Sequence, residues 1–209
     1  MSEATWLQRA DARPSRTARS LKDTDIALAA LTLGVDEASV RAVCDVESRG
    51  VGFLPDGRPT ILFERHIMRR QLLAVDIDPA PFIRDLPNIV NTKTGGYVGN
   101  AGEYPRLAAA KQINLEAAIC SASWGMFQIM GFHWKALGYD SPQDFQRAMC
   151  ASEGHQIDAF IRFIEADPKL HKALKRQNWA AFAKRYNGPA YAKNKYDTKL
   201  ADAYARHAA

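Results

Sequence analysis

Three short stretches hold the residues whose types and spacing could do chemistry. The first, "CDVESRG" at 44–50, sets Glu47 at the end of a helical pattern, just before a glycine stop. A helix macrodipole opposes negative charge in its last turn, and the neighbouring Val43 and Val46 point to a partly buried site. Both influences favour a carboxyl that keeps its proton, which is the form that protonates a leaving-group oxygen in glycosidic cleavage. A lone Glu at a helix end is more often a solvated or salt-bridged side chain, so this stretch does not decide the matter by itself.

The second stretch, "SASWGMFQIMG" at 121–131, mixes small residues, two aromatics and a single amide. Gln128 could hydrogen-bond a sugar hydroxyl or N-acetyl group, with Trp124 and Phe127 as apolar faces and Ser123 beside them. A core segment with one satisfied glutamine explains the same letters. The third, "FAKRYNGPAYAKNKY" at 182–196, ends a helical pattern at Tyr186-Asn187-Gly188-Pro189, where a phenol and an amide can face a cleft. As a turn signal alone it is commonplace.

These residues need elements to carry them. The 209 residues have ordinary globular composition, 47% hydrophobic and 24% charged, which suits one domain with a substantial core. The net charge of +5 fits an acidic partner, whether nucleic acid, anionic membrane or cell-wall polymer. The pattern predicts a polar, Arg-rich, flexible arm over 1–20 and one folded domain over 21–209. Within that domain, one helix stops at Gly34 and a second is capped by Asp36 and stopped at Gly50. Pro55-Asp56-Gly57 marks a turn in a small β element over 51–66. Helix resumes at 67–73, and the glycine-rich "NTKTGGYVGNAGEYPRL" reads as an exposed loop. Further helices are expected over 106–122, from the Ser141-Pro142 cap to Glu165, from Asn178, and over 190–207. The fold class is α+β, mainly α.

Three cysteines without CxxC spacing read as buried thiols of a protein folded under reducing conditions. The five histidines show no ligand spacing, so no metal and no other cofactor is expected. No run has signal-peptide or membrane-span character. A monomer is expected.

Glu47-Ser48, the Gly125-Met126-x-Gln128 pattern and Tyr186-Asn187-Gly188 occur in that order. Together they resemble the goose-type lysozyme and soluble lytic transglycosylase superfamily. "ESRGVGFLPDGRPTILFERH" is more closely similar to the catalytic-glutamate segment of phage N-acetylmuramidase endolysins, and the resemblance spans about residues 24–205. It implies a lysozyme-like fold and cleavage of the β-1,4 bond between N-acetylmuramic acid and N-acetylglucosamine in bacterial peptidoglycan. It makes 21–209 the catalytic domain and Glu47 the general acid, with Gln128, Tyr186 and Asn187 positioning sugar and acid. It also implies an enzyme that waits in the host cytoplasm until a holin-type pore admits it to the periplasm.

An inverting hydrolase needs a second carboxylate, whereas a lytic transglycosylase can work with one. Glu64, after the apolar run of "ILFERH", and Asp56, nine positions after Glu47, are the candidates. Glu64 is preferred because a strand anchors it; an ion pair with Arg65 or Arg69 is its ordinary alternative. Tyr97, Tyr104 and Trp124 are candidates to stack on sugar rings. A rival from another class is a helix-turn-helix over 26–43. Its would-be recognition helix carries four acids, the wrong balance for phosphates, so nucleic acid is not the expected partner.

Overall fold

The structure, a computed structural model, describes residues 19–47 and 52–209. Most of the expected arm, and the expected stop at Gly50, lie outside the described residues. Arg19 at the arm's inner end donates to the Gly57 carbonyl at 2.8 Å and lies 5.3 Å from the Phe53 ring centre, seated on the β turn.

Helix α1 (Asp23–Leu33) begins where Asp25 accepts from the Lys22 amide, and its first-turn acids suit the positive end of the dipole. It stops at Gly34, whose φ of 62° is the left-handed conformation a residue without Cβ adopts freely. Asp36 then accepts from the Ser39 amide at 2.7 Å and opens α2 (Glu37–Glu47). The β element follows. Phe53 and Pro59 bridge across the Pro-Asp-Gly turn, and the chain continues into β1 (Ile61–Phe63). Ile61 and Phe63 are buried and Leu62 is not, the alternation of a strand with one face on the core.

Two short strands complete the sheet, β2 (Ala122–Trp124) and β3 (Ile129–Met130), all antiparallel in the order β1-β2-β3. Ile61 pairs with Trp124 and Leu62 with Ser123. The expected β element thus recruits the 121–131 stretch.

The remaining helices are α3 (Arg65–Leu73), α4 (Ala80–Asp85), α5 (Glu103–Ile113), α6 (Leu115–Cys120), α7 (Pro142–Ala151), α8 (Glu153–Glu165), α9 (Pro168–Lys175), α10 (Trp179–Tyr186) and α11 (Tyr196–Ala208). Two expected helices are each divided by a polar cap. Asn114 ends α5 and caps α6, accepting from the Ala117 amide, and Ser152 separates α7 from α8 in extended conformation. The last helix starts at Tyr196 rather than near 190, after a 3-10 turn at Pro189–Tyr191. No helix among the described residues is long and apolar enough to cross a membrane.

The core gathers Leu33, Phe63, Met68, Trp124, Phe145, Phe160 and Phe182 between the sheet and the helices. Phe127 stacks on Phe160 at 4.4 Å and Phe182 on Tyr186 at 5.6 Å, so an aromatic column runs from the β2–β3 turn to the end of α10. Each such side chain removed from water is worth about 1.5–3 kcal/mol. Helix α2 lies between α1 and α11, with Val40, Val43 and Cys44 buried, and the side it displays carries Asp36, Glu37 and Asp45. The would-be recognition helix is therefore a core element with an acidic outer face.

Candidate active site

A cleft of about 320 Å³ opens where the end of α2 meets the sheet and the α10–α11 connection. Val46 and Glu47 form one side, Leu62, Ser123 and the 127–130 turn another, and Tyr186, Asn187 and Tyr196 a third, with His133 and Phe163 between them. The structure brings together six of the residues singled out in sequence: Glu47, Ser123, Phe127, Gln128, Tyr186 and Asn187.

Glu47 is the last residue of α2 and 9% exposed. The Asn187 side-chain amide donates to its Oε2 at 2.8 Å, across 140 residues of chain. Tyr186 donates its hydroxyl to the Phe127 carbonyl at 3.0 Å. Burial, and then the nearby charge of Glu47, push the Tyr186 phenol well above its ordinary pKa, so it remains a proton donor.

Gln128 occupies left-handed backbone at φ 49°, rare for a residue with a Cβ and consistent with a turn held in place by its surroundings. Its amide group supplies that hold. Nε2 donates to Gly125 O at 2.8 Å and Thr60 O at 3.3 Å, while Oε1 accepts from Ser123 at 2.9 Å. Both amide protons are spent on the fold, so any bond from Gln128 to a sugar uses a lone pair of Oε1.

Behind the turn sits Gln156, 1% exposed, which sequence reasoning missed. Its Oε1 accepts from the Met126 amide and its Nε2 donates to Met149 O and Gly52 O. A Cβ on Gly52 or Gly125 would sit 2.2 Å or 2.6 Å from Gln156 atoms, so both glycines make room for this amide. The "GM" of the second motif therefore has a packing reason.

Glu64 stands outside the cleft wall proper. It follows β1 in extended conformation and occupies the N-cap position of α3. Two positions beyond Leu62, it belongs to the same face of the strand, about 7 Å further along. Tyr97 donates to both of its oxygens at 2.9 Å. His66 Nδ1 lies 3.1 Å from Oε2, close enough for an ion pair but not aligned as a hydrogen bond.

The arginine partners expected for Glu64 are engaged otherwise in one case: Arg65 donates to the Pro87, Lys93 and Thr94 carbonyls and clasps the glycine-rich loop. The far end of that loop is pinned by Glu103. This residue, expected in an exposed loop, is 0% exposed and accepts from the Val98, Gly99 and Phe63 amides and from Arg106. Burial opposes its charge, but these donors outweigh it and hold Glu103 below the ordinary carboxylate range.

The other candidates lie elsewhere. Asp56 is bound by the backbone and guanidinium of Arg58 at the turn. Tyr104 donates to Pro59 O beneath Arg58. Trp124 is 1% exposed with its indole N–H on Ile119 O, so its ring belongs to the core rather than to a sugar-stacking face. Tyr97, 47% exposed, meets Glu64 through its hydroxyl. His133, Phe163 and Tyr196 line the cleft unannounced, since lone aromatic and imidazole residues in helical runs carry no signal.

A mainly helical domain with a short sheet, and a carboxyl delivered by a helix end to a cleft beside that sheet, is a lysozyme-like α+β fold. Residues 36–208 match the sequence profile of the N-acetylmuramidase family, and the chain belongs to that family. It is a lysozyme-type glycoside hydrolase, with peptidoglycan as its substrate class. The crystal structure of a Burkholderia AP3 phage endolysin is similar, with 51% identity, a TM-score of 0.89, and coverage of 99% of this chain and 78% of that one. No match is found among curated proteins.

Proposed function

We propose that the chain is an endolysin that hydrolyses the β-1,4 bond between N-acetylmuramic acid and N-acetylglucosamine, with Glu47 as general acid. The observation that carries this reading is the bond from Asn187 to Glu47 in the cleft wall. The amide holds Oε2 and so orients the carboxyl that carries the transferable proton. Glu47 passes it to the bridging oxygen as the glycosidic bond breaks, and is left as a carboxylate.

Glu64 serves as the base, taking a proton from the water that adds to the sugar carbon, with Tyr97 orienting its two oxygens. Ser123 and Gln128 fix the cleft floor, and Tyr186 and Asn187 hold the acid's side. Peptidoglycan is the partner, the chain acts as a monomer, and the likeness to a phage endolysin supports release from the host cytoplasm through a separate pore.

Mass spectrometry of digested peptidoglycan tests the reaction. Hydrolysis leaves reducing N-acetylmuramic acid ends. Products lighter by one water, with 1,6-anhydro ends, would make the enzyme a lytic transglycosylase and remove the need for Glu64.

A further inference from the structure

Asn187 and Tyr196 both line the cleft, so the eight residues between them leave the cleft wall and return to it. That segment, "GPAYAKNK", contains two lysines and no acid. Lys193 and Lys195 are exposed, and neither has a carboxylate within ion-pair reach among the described residues. Tyr191 packs partly buried against the core, which anchors the middle of the loop.

The backbone adds a second observation. Lys195 has φ 54°, a left-handed conformation in which Gly or Asn is the ordinary choice. The chain accepts that strain and carries a cation there. From Pro168 to the end there are ten Lys and Arg against two Asp, a net +8, so the first 167 residues are net −3. The basic surplus is thus concentrated in the segment that contributes Tyr186, Asn187 and Tyr196 to the cleft.

Where a stem peptide is attached, the lactyl carboxyl of muramic acid is consumed in the amide to it, so the sugars of a peptide-bearing strand offer cations no charge. The anionic groups of peptidoglycan are the carboxylates of its stem peptides, which project from the muramic residues beside the bond being cut. We infer that Lys193 and Lys195 bind stem-peptide carboxylates of the strand lying in the cleft. The inference rests on the muramidase reading above. Exposed ammonium groups of this kind act by raising local substrate concentration and are weakened by salt.

The test uses the full chain with both lysines changed to Gln, read as release of reducing ends from two walls: native peptidoglycan, and the same material with its carboxylates amidated. On native wall at low salt, the double variant should show kcat/KM lowered roughly tenfold, about threefold per lysine, through KM rather than kcat. At high salt the difference should shrink. On amidated wall the variant and the parent should be alike, and the Lys193→Arg, Lys195→Arg double variant should keep the parent's preference for native wall.

Equal activity of the Gln variant and the parent on native wall at low salt overturns the inference. So does a preference for native over amidated wall that survives in the Gln variant. A gel shift on duplex DNA lost in the variant, with wall activity intact, overturns it by assigning the lysines to nucleic acid. If the parent releases no reducing ends from either wall, the muramidase reading itself fails, whatever the lysines do.

Discussion

Glu47 and Glu64 are both carboxyls at helix ends, held in opposite ways. Glu47 closes α2, at the negative end of its dipole, buried and bonded by Asn187 from a helix end 140 residues away. Glu64 stands ahead of α3, at the positive end, gripped by an exposed tyrosine from a glycine-rich loop. The first field disfavours an anion and the second favours one. The helical wall builds its site from buried aromatics, whereas the β wall hangs its site on a loop that two charged residues, Arg65 and Glu103, tie down. The proposed acid, which must start protonated, and the proposed base, which must start ionised, thus sit at helix ends of opposite sign.

The largest effect that could break this comparison is at Glu47. Glu47→Gln keeps the shape and removes the transferable proton, so turnover should fall a hundredfold or more with circular dichroism unchanged. Substantial activity in the purified variant would remove Glu47 from the acid's role. Next is Glu103→Gln, which leaves Arg106 buried without its counter-charge. Unfolding free energy should drop by about 3–5 kcal/mol, measured by urea denaturation. A change within error would mean that the glycine-rich loop and β1 do not depend on this tie.

The β wall is sharpened by a pair of variants. Glu64→Gln should lower turnover far more than Asp56→Asn, because Asp56 is spent on Arg58 at the turn. Tyr97→Phe keeps the ring and loses only the hydroxyl. It should lower kcat by about tenfold with KM little changed, in the range of a lost hydrogen bond to a charged group. A rise in KM with kcat intact would return Tyr97 to a sugar-contacting role. If Asp56→Asn is inactive and Glu64→Gln is normal, the comparison was drawn between the wrong carboxyls.

The parts of this arrangement that follow local rules were legible in the sequence. Asp36, Gly34 and the Ser141-Pro142 pair cap or stop helices as short-range chemistry dictates. Asn114 and Ser152 were missed because each is a polar cap inside a run that stays apolar at helical spacing on both sides. β2 and β3, of three and two residues, are too short for an alternating pattern to emerge, so Trp124 looked available to a sugar when its N–H was committed to the core. Glu103 was hidden for a similar reason: polarity and glycines suggested solvent, and only the fold brings three amides and a guanidinium around one carboxylate. Glu47 and Asn187 were legible as members of motifs, but their mutual contact is a property of the tertiary structure.

The smallest expected effect concerns His133, which lines the cleft between the two walls, with Phe132 at 4.4 Å and Phe163 edge-on at 5.1 Å. Burial lowers its pKa from the usual value near 6.5, because the surroundings penalise the charged imidazolium. The sign follows from linkage. Above pH 6.5 the imidazole is neutral in the folded and unfolded chains alike and contributes no pH dependence. As pH falls through 6.5 the unfolded chain takes up the proton first, so the folded state loses stability until its own lower pKa is passed. His133→Gln has no such proton to bind. The melting temperature of the parent should therefore decline more between pH 7.5 and 5 than that of the variant, the carboxylates common to both cancelling in the difference. Parallel curves would show that His133 titrates in the cleft as it does in water, and that the space between the two walls is wetter than its aromatic lining implies.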